Sequence, residues 1–461
     1  MKKLFGTDGM RGEAGHFPLD AATVRVTGRS LARHLSEQHD GRGARILVGR
    51  DTRESGLWLE RALAAGAREA GALVQSAGVI TTPGVAFLTR HLPADAGVVI
   101  SASHNPYQDN GIKVFAPSGR KLDDATERRI EADIAAAAAE AEKHDALNML
   151  DDLPVEETDA GEAAPLRSRY LDYLAVEVAR GLSLEGMTIA VDCANGAASE
   201  LAPALFARLG ARVCAINNRP DGRNINRDCG SLHIEGLREK VLGERAHLGV
   251  AFDGDADRAL FVDAQGAFVD GDATLLVMAE HMEACGELKD KLVVATVMSN
   301  IGLEVALRAK GLRLLRTDVG DKYVLEELLR QEASLGGEQS GHLIFPALSL
   351  AGDGMITTLC LLRVMRETGK RLDELTEGFV RYPQVLVNVR VREKRPFEEV
   401  SEVARAAHDV EAQLGEKGRL LLRYSGTEPL ARVMIEGERQ ETVERLANTL
   451  AGVIRESLGA S

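Results

Sequence analysis

Three stretches of the chain repeat the same order of apolar and polar positions. In each, a short apolar run typical of a buried strand leads into an amphipathic stretch, a second apolar run and a polar loop. The leading runs are Arg45–Gly49, Met187–Asp192 and Leu292–Val297. Strands that alternate with helices are typical of parallel sheets covered on both faces. We therefore expect three related α/β domains with parallel or mixed sheets, each presenting one loop.

The C-terminal part of the chain follows a different pattern. Valines alternate with more polar residues between positions 385 and 391, as in a strand with one buried face. Two more strands are predicted near Arg419–Tyr424 and Arg432–Glu436, and a final helix places its apolar residues on one face. This pattern predicts a smaller α+β domain with an antiparallel sheet.

Breaks in composition suggest where one domain ends and the next begins. The segment Asp151–Pro165 is acidic and rich in proline and glycine, and another break lies near Glu367–Arg371. The predicted domains are 1–152 with a serine loop, 160–254 ending at an acidic loop, 255–368 with a polar glycine-rich loop, and 372–461.

Composition narrows the class of protein. Only 4% of the residues are aromatic, so the cores must be built from aliphatic side chains, which suits buried parallel sheets. The net charge of −14 argues against a nucleic-acid partner, which would call for a basic face. No apolar run approaches the roughly 20 residues that cross a membrane, and no secretory signal is recognised. Five scattered cysteines then favour a reduced, cytoplasmic protein.

The acidic loop "DGDADR" follows the apolar run that ends at Phe252. Asp253, Asp255 and Asp257 lie so close together that their repulsion is costly unless a cation binds among them. Oxygen-only ligands favour a hard ion such as Mg²⁺. An EF-hand is excluded because Arg258 occupies the position of its glycine. A solvated acidic turn is the alternative, and Arg258 would either reach a phosphate or pair with a carboxylate.

Ser103 lies in "ISASHNPYQDNGIK", after another apolar run. Its neighbour His104 suggests a hydrolase couple, but the GxSxG pattern of such nucleophiles is missing. A serine that accepts a phosphoryl group needs a cation and hydrogen-bond donors, which the acidic loop and Lys113 would supply. An ordinary surface turn is the alternative. The residues interpreted as forming the turn are Asn105, Pro106 and Gly111.

Two loops in the second half of the chain could bind a sugar phosphate. In "GEQSGH", Glu338 and Ser340 can accept from and donate to neighbouring sugar hydroxyls. In "RYSGTEP", Arg423 offers a bidentate fork, which together with small polar neighbours is typical of a phosphate-binding loop. Plain glycine-rich turns are the alternative for both. Two weaker signals are Arg11 in "GTDGMRG" and Lys322 in "VGDKYV".

Taken together, the motifs resemble the α-D-phosphohexomutase superfamily. Five of them occur along the chain in the family's order: "GTDGMRG", "SASHNPYQDNGIK", "DGDADR", "GGEQSGH" and "RYSGTEP". The stretches "VDCANGAAS", "VGDKYV" and "SGTEPLARVMIEG" are most similar to bacterial phosphoglucosamine mutases. The sequence departs from the pattern at Ala256, where glycine is commoner, at Tyr424, where proline is usual, and in "GSLHIEGL".

The resemblance implies an active site between four domains. Ser103 would carry the phosphoryl group, and its phosphate with Asp253, Asp255 and Asp257 would hold one Mg²⁺ per subunit. Lys113 and Arg11 would serve proton transfer and charge stabilisation, assisted by His104 and His342. Substrate binding would fall to Glu338, Ser340, Lys322, Arg258, Arg423, Ser425, Gly426, Thr427 and Arg432.

The implied reaction interconverts glucosamine 6-phosphate and glucosamine 1-phosphate through a phosphoserine enzyme and a 1,6-bisphosphate intermediate. Glucose- or glucosamine-1,6-bisphosphate would serve as activator, and the product would feed UDP-N-acetylglucosamine and cell-wall precursor synthesis. A phosphomannomutase or phosphoglucomutase is the nearest alternative. A metal-dependent sugar phosphatase and an inactive sugar-phosphate binder are further ones. The resemblance also implies a homodimer.

Overall fold

The structure is a computed structural model that describes residues 3–6, 8–38, 41–144, 160–425 and 428–459. Four sheets follow one another along the chain. The first three combine parallel and antiparallel strands with flanking helices, and the last is small and antiparallel. The predicted fold class is confirmed. None of the described helices combines the length and the apolar character needed to span a membrane.

The first sheet holds the serine loop. Its elements are β1 (Phe5–Gly6), β2 (Gly9–Glu13), α1 (Ala21–Gln38), β3 (Arg45–Arg50), α2 (Gly56–Glu69), β4 (Leu73–Val79), α3 (Thr82–His91), β5 (Ala96–Ile100), β6 (Asp109–Phe115) and α4 (Asp124–His144). The strand order is β1-β2-β6-β5-β3-β4. Strands β3, β4 and β5 are parallel as predicted, whereas β6 runs antiparallel to β5 and β2.

One expectation for the serine segment is wrong. Gly111 does not form the turn after Ser103 but lies within β6, opposite Arg11 of β2. A Cβ atom at Gly111 would approach the Ser101 carbonyl oxygen to 2.7 Å, so glycine allows the strands to come close. The apolar pattern did not reveal this strand, because its buried positions include Asn110 and Lys113.

The second sheet holds the acidic loop. Its elements are α5 (Ala160–Asp172), a π-helical turn (Tyr173–Val178), β7 (Thr188–Asp192), α6 (Ala198–Arg208), β8 (Arg212–Ile216), α7 (Glu235–Glu244), β9 (Leu248–Phe252), β10 (Ala259–Asp263) and β11 (Phe268–Val269). The order is β11-β10-β9-β7-β8. Because β10 pairs antiparallel with β9, the sheet continues past the boundary predicted between residues 254 and 255. We propose that this domain extends through β11.

The third sheet has the order β13-β12-β14-β15, and the fourth β16-β18-β17. The third contains α8 (Gly271–Ala284), β12 (Leu292–Thr296), α9 (Ile301–Ala309), β13 (Arg313–Thr317), α10 (Asp321–Gln331), β14 (Leu335–Gly337), β15 (Leu343–Ile344), α11 (Gly354–Thr368) and α12 (Leu372–Leu375). The fourth contains β16 (Gln384–Arg390), α13 (Ser401–Leu414), β17 (Arg419–Tyr424), β18 (Leu430–Glu436) and α14 (Gln440–Leu458). Short 3₁₀ turns lie at Gly230–Leu232, Lys289–Lys291, Phe397–Glu399 and Gly415–Lys417.

The apolar cores are distributed unequally among the four domains. One apolar cluster is continuous through the first three domains, from Leu47 through Phe252 to Leu361. The last domain has a cluster of its own, which includes Val433 and Leu446. The first three domains are therefore packed as one body, and the last forms a separately cored unit.

Candidate active site

Ser103 lies directly after β5, at the edge where the first two domains meet. Its side chain is buried and donates a hydrogen bond to Asp253 Oδ2 of the acidic loop. Its backbone has a φ of +53°, a strained conformation for a residue other than glycine. His104 Nδ1 lies 3.3 Å from the Ser103 hydroxyl oxygen. The structure thus brings together a serine and an aspartate that are 150 residues apart in sequence.

The strained serine turn is held from two sides through its carbonyl oxygens. Arg53 Nη2 donates to the carbonyls of Ser103 and Asn105, each at 2.9 Å, and its Nε donates to Asp51. Asn226 Nδ2, from the second domain, donates to the same two carbonyls at 2.8 and 3.0 Å. Because Arg53 is buried, these bonds fix the position of the serine backbone.

The acidic loop connects β9 to β10 and is buried. One oxygen from each of Asp253, Asp255 and Asp257 lies within 4.8 Å of the others. Lys113, which projects from β6, places Nζ 2.8 Å from Asp255 Oδ2 and 3.5 Å from Asp257 Oδ2. Thr82 also donates to Asp255. The loop is therefore not a solvated turn, and a buried ammonium already compensates part of its charge.

Burial and neighbouring charges shift these groups in opposite directions. Burial, together with Asp257 and Asp255, raises the pKa of Asp253 well above its ordinary value. Burial alone would also raise the pKa of Asp257, but Lys113 and His342 hold that pKa well below its usual range. Burial would lower the pKa of Lys113, yet the three nearby carboxylates of Asp255, Asp257 and Asp8 raise it overall. The ammonium is therefore charged at neutral pH.

The two histidines of the site differ in charge. Burial lowers the pKa of His342, but Asp257 outweighs it, and the pKa rises to about 9. Its Nδ1 lies 3.7 Å from Asp257 Oδ2, and its Nε2 lies 3.9 Å from Asp321 Oδ2. Burial and the nearby cations Arg258 and Arg11 lower the pKa of His104 to about 4. At neutral pH, His342 is a cation and His104 a neutral imidazole.

The glycine-rich loop of the third domain follows β14. Its Glu338 accepts a hydrogen bond from the Gly320 N–H at 3.2 Å, and Ser340 Oγ lies 3.4 Å from Glu338 Oε2. Lys322 does not join this loop but donates to Asp124 Oδ1 at 2.6 Å. A cavity of about 460 Å³ is lined by Lys113, Asp257, Asp321, Lys322 and His342, among others, whereas Glu338 and Ser340 are not among its lining residues.

The predicted phosphate loop lies between β17 and β18. Arg423 is paired directly opposite Arg432, so that two guanidinium groups share one face of the sheet. Burial and Arg432 lower the pKa of Arg423. Arg432 Nη2 lies 3.5 Å from Ser425 Oγ, while Gly426 and Thr427 are outside the described residues. Glu428 Oε2 lies 3.6 Å from Arg432 Nη2 and compensates part of this charge, and an anion bound between the two guanidinium groups would offset the rest.

Several buried polar atoms of the site have no hydrogen-bond partner among the described residues. They include the acceptors Asp255 Oδ1 and Asp257 Oδ1 and, as donors, Nε2 of His342 and Nε of Arg11, Arg258 and Arg432. Unpaired buried carboxylate oxygens within one cluster fit a hard metal ion such as Mg²⁺. Unpaired guanidinium donors fit phosphate oxygens. The donor set therefore suits a metal ion together with a phosphorylated ligand.

The sequence departures have local explanations. Ala256 has a φ of +56°, a conformation that favours glycine, so alanine adds strain to the acidic loop without breaking it. The Tyr424 ring stacks on Phe397 at 4.2 Å, and its hydroxyl donates to the Arg395 carbonyl. This packing supports the predicted phosphate loop at the position where proline is usual. Nothing in the structure explains Leu232, which is exposed.

Some residues at the site were not predicted. Asp8 Oδ2 lies 3.4 Å from Arg11 Nη2. Burial alone would raise the pKa of Asp8, but the nearby cations Lys121, Lys113 and Arg11 lower it overall. Arg53 and Asn226, which hold the serine turn, were missed as well. Asp51 and Arg53 directly follow a buried strand in "GRDTRESG", and this placement could have identified them.

Comparisons with known proteins agree with this arrangement. Phosphoglucomutase/phosphomannomutase domains match in order: alpha/beta/alpha domain I over residues 2–141, domain II over 168–266, domain III over 270–382 and the C-terminal domain over 386–453. Phosphoglucosamine mutase of Solibacter usitatus is 51% identical over 461 residues, covering 99% of each chain. That of Deinococcus radiodurans is 48% identical, covering 99% of this chain and 98% of the relative.

Solved structures are similar along the whole chain. A phosphoglucomutase/phosphomannomutase family protein of Burkholderia thailandensis gives a TM-score of 0.79 at 24% identity, covering 99% and 98% of the two chains. Aspergillus fumigatus N-acetylphosphoglucosamine mutase, in complex with GlcNAc-6P and magnesium, gives 0.66 at 18%, covering 98% and 96%. At these identities the likeness concerns the fold. The four domains and the full-length relatives show that the chain belongs to the phosphoglucomutase/phosphomannomutase family, in its phosphoglucosamine mutase branch.

Proposed function

We propose that this chain interconverts glucosamine 6-phosphate and glucosamine 1-phosphate through phospho-Ser103 and a 1,6-bisphosphate. The observation that carries the proposal is the buried Ser103 hydroxyl, bonded to Asp253 within a cluster of three carboxylates and one ammonium. A serine hydrolase would require a base that is itself oriented by a third group, and no such triad is present among the described neighbours of Ser103. The curated relatives favour glucosamine over glucose or mannose.

In the first half-reaction, the free hydroxyl of the sugar attacks the phosphorus atom on Ser103. The sugar hydroxyl loses its proton, the bond from phosphorus to Oγ breaks, Oγ takes up a proton, and the sugar becomes a bisphosphate. In the second half-reaction, Oγ loses its proton and attacks the other phosphorus atom of the reoriented bisphosphate, the bond from that phosphorus to the sugar oxygen breaks, and the freed oxygen takes up a proton. Asp253, Asp255 and Asp257 would hold one Mg²⁺ per subunit, which neutralises charge on the transferred group when bound.

The protein's own groups divide the remaining work. Lys113 has a raised pKa and therefore stabilises charge on the phosphoryl oxygens without accepting a proton at neutral pH. Arg11 and Arg258, whose buried Nε atoms have no hydrogen-bond partner among the described residues, would donate to the same oxygens. Neutral His104, 3.3 Å from Oγ, is placed to exchange the proton with Ser103. His342, charged below about pH 9, holds Asp257 in its ionised form.

The sugar and its second phosphate would be held by the other two loops. Glu338 and Ser340 would bind neighbouring hydroxyls of the ring. The paired guanidinium groups of Arg423 and Arg432, with Ser425, would hold the phosphate that is not being transferred. Gly426, Thr427 and Lys322 would also take part in substrate binding. A 1,6-bisphosphate would activate the enzyme by restoring phospho-Ser103.

The same resemblance implies the cellular compartment, the use of the product and the assembly state of the protein. The five cysteines are free, which suits the reducing cytoplasm. We propose that the product enters UDP-N-acetylglucosamine and cell-wall precursor synthesis, as expected for a bacterial enzyme of this branch. A homodimer stays a prediction.

Replacement of the acceptor serine tests the proposal. Ser103→Ala should abolish isomerisation and remove the phosphate from the peptide that contains residue 103, measured by coupled assay and by mass spectrometry. Ser36→Ala, a half-buried serine of α1 in the same domain that does not line the active-site cavity, is the matched control and should change neither. Full activity of Ser103→Ala would refute the phosphoserine mechanism. Release of free phosphate without isomerisation would identify a phosphatase, and kcat/KM on three hexose phosphates would rank the sugars.

A further inference from the structure

A second cavity, of about 370 Å³, lies between the second and third domains and shares no lining residue with the proposed active site. The second domain contributes Glu185–Met187 before β7, Arg245–His247 before β9, and Ala264 after β10. The acidic loop follows the opposite end of β9. The cavity therefore lies at the far edge of the sheet from Asp253, Asp255 and Asp257.

Helix α11 connects the two places. Its first residue, Gly354, donates its N–H to the carbonyl of Ala256 in the acidic loop. Its last turn contributes Met365 and Arg366 to the cavity. Because the helix has 15 residues and rises about 1.5 Å per residue, the two sites are separated by about 22 Å.

The charged lining of the cavity is basic although the protein as a whole is acidic. Arg245 comes from the second domain, and Arg366, Lys370 and Arg371 come from the third. Arg371 is paired with Asp373 at 2.7 Å. No carboxylate of the described residues forms an ion pair with the other three side chains. The remaining charged groups are the exposed Glu185 and, when protonated, His247.

Helix ends account for only part of this arrangement. Arg245 caps α7 and Arg366 lies in the last turn of α11, so each would be favoured singly by the partial negative charge of its own helix end. Lys370 lies beyond the end of α11, and the two helices belong to different domains. Arg245, Arg366 and Lys370 are exposed, so water screens much of the repulsion among them, and an anion bound among them would turn the remaining repulsion into attraction.

We propose that this cavity binds a small organic molecule that carries at least two phosphate groups. Arg245 and Arg366 would grip phosphate oxygens with their planar forks, and Lys370 would add a point charge. Met187 and Met365, both nearly buried, would pack against the organic part of the ligand. The volume is within the range of small-molecule sites. A single phosphate group carries a charge of about −2 at most near neutral pH, which is less than the three positive charges of Arg245, Arg366 and Lys370.

The test is a calorimetric titration of the full-length protein with ADP as the organic diphosphate. The site variant is Arg245→Gln/Arg366→Gln/Lys370→Gln. The matched control, Arg405→Gln/Arg445→Gln/Arg455→Gln, removes the same charge from exposed positions of the last domain. We expect the site variant to lower ADP affinity at least tenfold and the control to change it less than twofold. Inorganic pyrophosphate should follow ADP, and AMP should bind the unchanged protein at least fivefold more weakly.

Equal ADP affinity of the two variants, or equal affinity for AMP and ADP, would overturn the proposal. A milder variant, Arg366→Gln/Lys370→Gln, should still lower the affinity at least threefold if the triple variant proves unstable by circular dichroism. Mutase activity measured in the same proteins separates this site from the proposed function. The site variant should turn over glucosamine 6-phosphate as fast as the control, since none of its residues lines the active site.

Discussion

The two ends of the proposed active site are built in different ways. At the transfer end, Ser103, Lys113 and Asp255 are buried and bonded across the boundary between two domains that share one core. At the grip end, Arg423 and Arg432 are only half-buried and belong to a domain with its own core. The transfer end has partners for most of its groups, whereas the grip end has two like charges facing each other.

The connection of the last domain to the third is polar. Asn300 Nδ2 donates to the Tyr382 carbonyl and to Glu436, and Arg419 donates to the Ser299 carbonyl. This difference fits the proposed chemistry. Phosphoryl transfer depends on atoms held in fixed positions, whereas a bisphosphate that turns around must be released and bound again by the group that grips it. The comparison predicts that changes at the transfer end alter kcat and stability, and that changes at the grip end alter KM.

The largest effect is expected at Lys113. Lys113→Met leaves two buried carboxylates without their cation, so the free energy of unfolding should fall by about 3–5 kcal/mol. Loss of a donor to the phosphoryl oxygens should lower kcat by about 10²- to 10³-fold. Lys322→Met is the control, since its pair with Asp124 is partly exposed and is expected to contribute less than about 1 kcal/mol. Equal destabilisation in urea would contradict a buried, compensated transfer end.

A good part of the transfer end could be predicted from the chain. The carboxyl ends of strands were recognisable, and loops that follow parallel strands collect at one edge of a sheet. The pairing of Lys113 with Asp255 could not be predicted, because it joins two domains across 142 residues. Nor could β6, whose buried polar side chains erase the apolar pattern of a strand. The clamp formed by Arg53 and Asn226 acts through backbone carbonyls, which have no sequence signal.

The second-largest effect concerns Asp353, which caps α11 beneath the acidic loop. It accepts bonds from Met355 N, Ile356 N and the Tyr170 hydroxyl, yet burial raises its pKa to about 6 from 3.8. The folded state therefore retains a proton that the unfolded state loses, and stability should fall by about 3 kcal/mol as pH rises from about 4 to about 6.

Asp353→Asn keeps the cap but cannot ionise, so that decline should be absent from the unfolding free energy measured between pH 3.5 and 7. Asp123→Asn serves as the control. Slight burial would raise the pKa of Asp123, but hydrogen bonds from Thr126 and the first turn of α4 lower it overall. The contribution of Asp123 to the unfolding free energy therefore rises with pH, opposite in sign to that of Asp353. If the unfolding free energy of Asp353→Asn depends on pH in the same way as that of the unchanged protein, the buried Asp353 carboxyl does not destabilise the folded state below the acidic loop.

At the grip end, Arg423→Gln should raise KM for glucosamine 6-phosphate about 10- to 100-fold, the value of one or two charge-assisted hydrogen bonds. The kcat should stay within about threefold, because the same phosphate is held in the ground and transition states. Arg405→Gln, an exposed change in the same domain, should alter neither constant. A large fall in kcat with an unchanged KM would place Arg423 at the transfer end and break the comparison.

The smallest effect is expected at Asn226, an uncharged residue that holds the serine turn of the transfer end in place. Asn226→Ala removes two hydrogen bonds to the carbonyls of Ser103 and Asn105, each worth about 1 kcal/mol. Since Arg53 still holds the same carbonyls, the strained turn should persist but with a less fixed Oγ. We expect kcat and the rate of serine phosphorylation by a 1,6-bisphosphate to fall about 5- to 10-fold, with KM unchanged.

Asn224→Ala, which loses a bond to the Arg219 carbonyl on the same loop, should leave both rates unaltered. If the two variants behave alike, the serine turn is fixed by Arg53 alone, and the rigidity of the transfer end comes from the first domain and not from the contact between domains.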